Sequence, residues 1–252
     1  MNPGPQIINA LLVIFAAAAV QGASGFGFAL IAVGPLSLMT ELTSVTPLIA
    51  LLNAPVTGYV LLRLRRHVSL RRVLPLVVGV AIGTPLGVHV LVNWPREVLL
   101  RGLAVVLIVV AIRAARAALR NSSSDGAPHH EPRHGTVLAL LAGVASGALG
   151  GAFGTSGPPL IAYMYSMPWS KEQRTATLQA CFTASVVLGM GMFAARGLYT
   201  AELLTTAAWC MPGSLVGMLV GYAAFRRIPA RGLEFFVSVF LVVIAVRLFI
   251  SG

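Results

Sequence analysis

Charged side chains are scarce in this chain. Asp, Glu, Lys and Arg together make up 10% of its 252 residues, whereas hydrophobic residues make up 57%. A soluble domain carries about 25% charged residues, so this chain lacks the polar surface that contact with water requires. The deficit excludes a soluble globular enzyme, a disordered protein and a nucleic-acid-binding protein. Together with a mean hydropathy of +0.87, it indicates an integral membrane protein whose surroundings are the lipid bilayer.

Residues that bind metals or form disulfides are also few. The two cysteines, Cys181 and Cys210, lie in separate apolar runs, without a CxxC pair or zinc-ligand spacing. We interpret them as small buried hydrophobic residues. His129, His130 and His134 fall in a polar stretch, and we interpret them as solvated loop residues rather than metal ligands. The sequence therefore predicts neither a metal site nor a cofactor.

Acidic residues number only seven, and none falls at the middle of a predicted membrane segment. Five glutamates lie near segment ends: Glu41, Glu97, Glu172, Glu202 and Glu234. This pattern provides neither a carboxylate proton relay nor a sodium cage, and an interior poor in acids suits an anion. His89, inside segment 73–92, is the candidate intramembrane titratable group. It is interpreted either as a proton-coupling residue or as a hydrogen-bonded packing residue.

Long apolar runs are abundant, arranged as five segments, one polar stretch and five more segments. The runs cover residues 7–21, 27–40, 46–62, 73–92 and 98–112, then 136–150, 158–165, 175–195, 203–225 and 233–249. The polar stretch, residues 116–134, is interpreted as a flexible linker. We therefore divide the chain into a first transmembrane repeat (1–115), a cytoplasmic linker (116–135) and a second transmembrane repeat (136–252).

A shared glycine pattern indicates that the two halves are duplicated. Adding 134 to the residue number, without gaps, pairs Gly79 with Gly213, Gly83 with Gly217, Gly87 with Gly221, Pro95 with Pro229 and Arg113 with Arg247. Near the start of each half, a shift of 125 pairs Gly22 with Gly147 and Gly25 with Gly150. Internal repeats are common in transporters. We interpret the glycine triplets, spaced four residues apart, as seams that let helix backbones approach closely.

The basic residues predict how the halves lie in the membrane. If the first two segments of each half return to their starting side, 13 basic residues lie on one side and three on the other; if they fuse into one crossing, the split is nine to seven. The positive-inside rule favours the first arrangement. Loop 63–72 and the linker then face the cytoplasm, and both termini face outside. Each half makes an odd number of crossings, so the halves are inverted relative to each other.

The first two segments are short for membrane spans. Residues 7–21 and 27–40 number 15 and 14, which as helices measure about 21–23 Å against a hydrocarbon core of ~30 Å. We therefore predict an all-α integral membrane protein of two inverted repeats, each with five helical segments. The first two segments of each repeat are interpreted as a re-entrant hairpin, with two full crossings as the alternative.

Glycine-rich tips interrupt both hairpins. The first tip is residues 21–28 (QGASGFGF) and the second tip is residues 147–159 (GALGGAFGTSGPP). A helix starts after each tip, and its first N–H groups and dipole favour an anion. Ser156 or Gly157 suits the N-cap of the second of these helices, and Pro158 suits its first turn. We expect an anion to bind near the bilayer midplane between the tips, held by N–H groups of residues 25–27 and 155–157. The alternative is two glycine turns that only pack.

The candidate substrate-binding residues lie in the tips and in the segments that follow them. They are Gln21, Gly22, Ser24, Gly25, Phe26, Gly27, Asn53, Gly154, Thr155, Ser156, Gly157, Pro158 and Gln179. Tyr163 and Tyr165 are further candidate donors to oxyanion oxygens. The paired Arg113 and Arg247 either line opposite vestibules and attract an anion or snorkel to the interface from helix ends.

Two motifs resemble those of a known family. Residues 22–33 (GASGFGFALIAV) resemble the first motif of the TauE/SafE sulfite exporter family, and residues 150–160 (GGAFGTSGPPL) resemble its second-half motif. The resemblance covers essentially the whole chain. It implies a bacterial cytoplasmic-membrane transporter that exports a small sulfur-containing oxyanion such as sulfite, sulfoacetate or another organosulfonate. The anion, the coupling ion, the transport direction and the oligomeric state, a homodimer included, stay open.

A second hypothesis is an intramembrane serine hydrolase. Residues 22–25 (GASG) match the GxSG string and resemble rhomboid proteases, with Ser24 as nucleophile and His89 as base. The string is weak in a chain with 26 glycines, and the second tip has no serine at the matching position. An inverted duplication serves alternating access and adds nothing to a one-serine protease. The sequence therefore favours a transporter over an enzyme.

Overall fold

The computed structural model describes residues 3–119, 135–165, 167, 169–225, 243–244, 246–247 and 249–250. Among these residues the secondary structure is helical and no strand occurs. The helices are α1 (Pro3–Ser24), α2 (Phe28–Met39), α3 (Leu42–Leu64), α4 (Leu70–Asn93), α5 (Arg96–Leu119), α6 (Gly135–Phe153), α7 (Gly157–Tyr165), α8 (Lys171–Ala195) and α9 (Ala201–Phe225). A 3-10 turn, Arg65–His67, connects α3 to α4. The predicted all-α class is confirmed.

Five helical stretches in the described part of the chain are long and apolar enough to cross a membrane. They are Leu42–His67, Leu70–Asn93, Gly135–Phe153, Glu172–Ala195 and Ala201–Ala223. Two shorter apolar stretches, Ile8–Gly22 and Phe28–Met39, precede them. The chain is therefore a multi-pass membrane protein. Most of the linker (120–134) and most of the last predicted segment (233–249) lie outside the described residues.

The two arms of each predicted hairpin differ in length. The second arms, α2 and α7, have 12 and 9 residues, close to the predicted segments 27–40 and 158–165. At 1.5 Å per residue they measure roughly 18 and 13 Å, which is too short to cross. The first arm was predicted to be equally short, and this was wrong: α1 has 22 residues. Its helix includes Pro3, which suits a first turn, and continues through the small residues of the first tip as far as Ser24.

The contacts divide the chain into two compact units that do not coincide with the predicted repeats. The first unit comprises Met1–Ile49, Asn93–Ser123 and Thr200–Gly252; the second comprises Ala50–Val92 and Ser124–Tyr199. Each unit therefore combines segments from both halves of the sequence. In the first unit α1 packs on α9, and in the second unit α4 lies against α6.

The second unit contains a tight seam between α4 and α6. A Cβ atom built on Gly79, Gly83 or Gly87 of α4 would overlap the carbonyl oxygens of Leu140, Val144 and Ala148, respectively. The contacts are reciprocal, because Cβ atoms on Gly143, Gly147 and Gly151 of α6 would overlap the carbonyl oxygens of Leu76, Val80 and Thr84. Such backbone approach allows Cα–H···O contacts and dispersion along the whole interface. The predicted packing role of this triplet is confirmed.

The first unit contains the matching seam between α1 and α9. Cβ atoms on Gly217 and Gly221 of α9 would lie against the carbonyl oxygens of Phe15 and Ala19, and a Cβ on Gly22 of α1 would overlap the carbonyl oxygen of Met218. Gly213 faces only the side chain of Leu11, at 3.6 Å from the Cβ position. Two of the three glycines of this triplet thus make the close backbone contact.

The two seams correct the register predicted for the tips. Gly83 and Gly87 contact Val144 and Ala148, whereas their predicted repeat mates in α9, Gly217 and Gly221, contact Phe15 and Ala19. Phe15 thus corresponds to Val144 and Ala19 to Ala148, so the first arms match at a shift of 129 rather than 125. Glycines recur every four residues in α6, which makes registers one helical turn apart look alike in sequence. Contacts across the seam distinguish them.

Each core is built from apolar side chains, with the two cysteines among them. Cys181 in α8 and Cys210 in α9 are fully buried and free. The interpretation of both as small buried hydrophobic residues is confirmed. Gly34 of α2 lies against the side chains of Ile244 and Leu107, which places α2 beside the described C-terminal residues within the first unit.

The seam predicts which glycines tolerate a methyl group. Gly87→Ala forces backbone against backbone, and overpacking of this kind costs about 1–3 kcal/mol. Gly191→Ala in α8 is the matched control, because no atom lies within 4 Å of its Cβ position and alanine improves helix propensity by about 1 kcal/mol. We expect thermal unfolding in detergent to show a clear loss of stability for Gly87→Ala and none for Gly191→Ala. Equal melting temperatures for the two variants would contradict the seam.

Candidate functional site

The first tip reverses the chain between α1 and α2 through two glycines with left-handed backbone. Gly25 and Gly27 have φ angles of 80° and 105°, which favour glycine over residues with a Cβ atom. The Gly25 N–H donates to the Gln21 carbonyl at 2.7 Å and closes the last turn of α1. These two predicted site residues therefore have a structural role in the turn.

Gln21 connects the two arms of this tip. Its side-chain Oε1 accepts a hydrogen bond from the Phe28 N–H at 3.0 Å, and the residue is only 4% exposed. Phe28 is the first residue of α2, so its N–H belongs to the turn that has no intrahelical acceptors. The sequence suggested Gln21 as a substrate ligand, whereas the structure shows it capping the helix that the tip begins. Gly22 lies in the α1–α9 seam, and the side chain of Ser24 lies outside the described residues.

The second tip is built in a similar way. α6 ends at Phe153, and Gly154 follows with a φ of 70°. The Gly154 N–H donates to the Gly150 carbonyl at 2.9 Å. This bond matches the bond between Gly25 and Gln21, again at the shift of 129. Pro158 falls in the first turn of α7, as predicted.

Three serines join the second tip to α6 and α8. Ser146 Oγ donates to the Ser156 carbonyl oxygen at 2.6 Å, and Ser156 Oγ lies 2.9 Å from Ser185 Oγ. All three residues are buried. A Cβ atom on Gly150 would overlap both the Ser156 and the Ser185 hydroxyl oxygens, so only glycine leaves room for this pair. We refer to Ser146, Thr155, Ser156 and Ser185 as the hydroxyl cluster.

Thr155 is the member of the hydroxyl cluster whose side chain is unsatisfied. The residue is 2% exposed, and its Oγ1 has no hydrogen-bond partner in the described part of the chain. Leaving a buried hydroxyl unpaired costs about 1–3 kcal/mol, and each such group in a native fold calls for an explanation. A ligand that accepts a hydrogen bond from Thr155 provides one.

The remaining predicted residues of the second unit lie on α8 and α3. Gln179 is fully buried in α8, and Thr183, one helical turn further along, has a buried Oγ1 without a partner among the described residues. Asn53 is buried in α3, where its carbonyl accepts from Thr57 Oγ1 at 3.1 Å.

Sequence reasoning missed Ser146 and Ser185. The signal that could have found Ser146 is its position one helical turn before Gly150, on the same face of α6.

The candidate ionisable residues whose side chains the structure describes, His89 and Arg247, are exposed. His89 is exposed and stands near the end of α4, about 11 Å along the axis from the helix midpoint. Arg247 is exposed, and the side chain of Arg113 lies outside the described residues. Arg96 pairs with Glu41 at 2.6 Å on an exposed surface between α2 and α5, where an ion pair contributes at most ~1 kcal/mol.

The basic loop between α3 and α4 lies against the connection between α7 and α8. Arg72 Nη1 is 3.5 Å from Gln173 Oε1, and the guanidinium carbon lies 5.4 Å from the centre of the Trp169 ring. Ser170 and Gln173 form a capping box at the start of α8. Tyr163 of α7 donates its hydroxyl to the Gly135 carbonyl at 3.1 Å. The structure thus brings α7 and its following connection back to the beginning of α6.

Comparison with known proteins gives a consistent result. The family described as Sulfite exporter TauE/SafE matches residues 10–248. A protein of Cupriavidus necator named "Probable sulfite/organosulfonate exporter TauE" is 26% identical over 216 residues, which cover 83% of this chain and 78% of the relative. No solved structure matches the chain. The family consists of transporters and not enzymes. With its multi-pass helical architecture, this chain belongs to the TauE/SafE sulfite exporter family of the bacterial inner membrane.

Proposed function

We propose that this transporter exports a small sulfur-containing oxyanion, such as sulfite or an organosulfonate, and binds it at the second tip. The observation that carries the proposal is the buried, unpaired hydroxyl of Thr155, the residue that precedes Ser156 of the Ser156–Ser185 hydroxyl pair just before α7. The family and the Cupriavidus necator relative support the transport class and the kind of anion. The choice among anions is part of the proposal.

The chemistry of the second tip suits an oxyanion. A deprotonated oxyanion offers only acceptors, so the protein must supply donors. Pro158 and Pro159 lack N–H groups, which leaves the N–H groups of Gly157 and Leu160 in the first turn of α7. Hydroxyl donors therefore replace part of the backbone contribution that the sequence suggested. The positive end of the α7 dipole adds a favourable field, and no basic side chain is needed.

Within the first unit, the first tip is proposed to offer donors of its own, mainly from the backbone. The Gly25 N–H is used within the turn, but Gly27 also carries an N–H group, and α2 contains no proline before Pro35. Gln21 occupies the Phe28 N–H, so any substrate contact here falls on other N–H groups of the tip and first turn. Backbone donors thus dominate in the first tip, whereas hydroxyl donors dominate in the second.

We further propose that α6 and α7 form a re-entrant hairpin that starts and ends on the cytoplasmic side. The bond from Tyr163 to Gly135 and the approach of Arg72 to Trp169 and Gln173 support this arrangement. A single fused crossing would carry Trp169 to the opposite side from Arg72. The recurring seam contacts and tip bonds support duplication. Combined with the charge asymmetry they favour two inverted halves, the arrangement that alternating access uses.

No structural observation favours the hydrolase. At the corrected shift of 129, Ser24 corresponds to Phe153, so the second tip again lacks a serine. His89, the base of that hypothesis, is exposed near a helix end. Ser24→Ala is therefore expected to keep most of the transport activity.

The proposal predicts opposite effects of one substitution on transport and on stability. Thr155→Val keeps the shape of the side chain but removes its hydroxyl. Losing one hydrogen bond to a charged ligand costs about 1.5–3 kcal/mol of binding free energy. The flux of sulfite or sulfoacetate into liposomes, measured at low substrate concentration, should therefore fall at least tenfold. The melting temperature without substrate should stay equal or rise, because an unpaired buried hydroxyl is removed.

Two controls accompany this measurement. Thr155→Ser retains the hydroxyl and should keep substantial flux. Thr57→Val makes the same change at a buried threonine whose hydroxyl is already bonded within its own helix, and its flux should stay near that of the unmodified protein. Normal flux through Thr155→Val would overturn the proposed site.

The proposed orientation predicts which loops a membrane-impermeant thiol reagent can reach. Cys181 and Cys210 are buried and should react little with the reagent. Labelling of a single introduced, exposed cysteine can therefore be measured over a low background from the native cysteines. Val68→Cys should be labelled only after the cells are opened, since loop 63–72 is proposed to face the cytoplasm. Thr200→Cys, in the connection between α8 and α9, is the control on the opposite side and should be labelled in intact cells. Labelling of Val68→Cys from outside would reverse the proposed orientation.

A further inference from the structure

The second unit contains a cavity of about 720 Å³ that is separate from the tip. Its lining includes Arg71 and Arg72 from the start of α4, Gly135 from the start of α6, Tyr163 from α7, and Trp169 and Gln173 from the α7–α8 region. We refer to this cavity as the basic cavity. It lies at the end of α7 that is remote from the tip, and α7 is nine residues long, or about 13 Å.

The basic cavity has the composition of an anion site. Its lining residues include two arginines and no carboxylate. Glu172, in the first turn of α8, is the neighbouring acid and is not part of the lining. Each guanidinium presents five N–H donors in a planar fork that matches sulfonate, carboxylate or phosphate oxygens. The Arg72 guanidinium carbon lies 5.4 Å from the centre of the Trp169 ring. Because this stacking already restricts the Arg72 side chain, less conformational entropy is lost when a ligand binds.

Trp169 brings a buried, unsatisfied donor to the wall of the same cavity. Trp169 lines the cavity and is 5% exposed, and its indole N–H has no hydrogen-bond partner in the part of the chain that the structure describes. A buried indole N–H usually finds an acceptor. An anion bound by Arg71 and Arg72 beside the ring provides such an acceptor once the ring turns its N–H into the cavity.

The aromatic walls indicate the class of anion. Tyr163 and Trp169 meet edge to face, with ring centres 6.1 Å apart, and supply apolar surface beside the guanidinium groups. The volume lies within the range of small-molecule pockets, about 300–1,000 Å³, and exceeds the need of a bare inorganic oxyanion. A small organic anion with an oxyanion head and a short carbon chain suits both the charged and the apolar parts.

We propose that the basic cavity is a second substrate site, which takes an organic sulfonate from the cytoplasm before it reaches the tip. The loading role rests on the proposed export function, whereas binding of the anion to the cavity does not. Arginine provides the affinity here, at the water-accessible end of α7. Hydroxyl donors at the tip bind more weakly and allow release, so capture and translocation fall to different residues.

Fluorescence of Trp169 tests the binding step directly. Trp94 and Trp209 are both more than half exposed, so Trp94→Phe and Trp209→Phe leave a protein whose single tryptophan lines the cavity. In detergent, titration with sulfoacetate should give a saturable change in emission. Arg71→Gln should weaken this binding at least tenfold, as should Arg72→Lys, which keeps the charge but loses the fork. Arg65→Gln makes the same charge change as Arg71→Gln in the adjacent 3-10 turn, outside the cavity lining, and should bind normally.

The outcomes separate this proposal from the proposed function. Thr155→Val should lose flux but keep the Trp169 response, whereas Arg71→Gln should raise the half-saturating concentration for export and keep the maximal rate. No saturable response to sulfoacetate, or equal affinity in Arg71→Gln and Arg65→Gln, overturns the basic cavity as a site and leaves the tip untouched. A response to short-chain phosphatidylglycerol and none to sulfoacetate would identify a lipid headgroup as the ligand and also overturn the proposal.

Discussion

Backbone groups that are shielded from water must find hydrogen bonds within the protein, and this constraint governs both tips. A chain that reverses where water is excluded must satisfy its own N–H and C=O groups. In the first tip, Gly25 closes α1 on the Gln21 carbonyl and the Gln21 side chain accepts the first N–H of α2. In the second tip, Gly154 closes α6 and Ser146 binds the Ser156 carbonyl. Against this background of satisfied backbone groups, the hydroxyl of Thr155 has no partner among the described residues, and we propose that it contacts the ligand.

The glycine seams hold the long arms of the hairpins in place. Apolar side chains gain little by leaving lipid for protein, so helices in membranes associate through close contact and dispersion. Gly83 and Gly87 bring α4 onto the backbone of α6, and Gly217 and Gly221 bring α9 onto α1. Each seam joins a helix of one half to the first arm of the other half. The two halves are therefore interleaved, and a substitution in α4 acts on the support of the second tip.

Sequence reasoning predicted the features that depend on local pattern. The helical class, the two tips, the short second arms and the packing role of the glycine triplets all follow from apolar runs, Gly and Pro. It did not predict which helices the seams join, because contacts such as that between Gly22 and Met218 span almost the whole chain. It placed the tip register one turn away, since glycines repeat every four residues in α6. The hydroxyl cluster depends on Ser185, far along the chain, and the capping of α2 depends on the side-chain amide of Gln21, a contact that no motif encodes.

The central claim is that the second tip binds the substrate through Thr155, and a bound anion located by diffraction tests it most directly. Selenite is the heavier analogue of sulfite, and its selenium gives an anomalous signal that identifies it without ambiguity. The account predicts an anomalous selenium peak at the second tip, with a selenite oxygen at ~2.7 Å from Thr155 Oγ1, the usual distance of an O–H···O bond. In Thr155→Val this peak should disappear. Selenite bound with no atom in reach of the second tip, in a protein that transports it, would contradict the account.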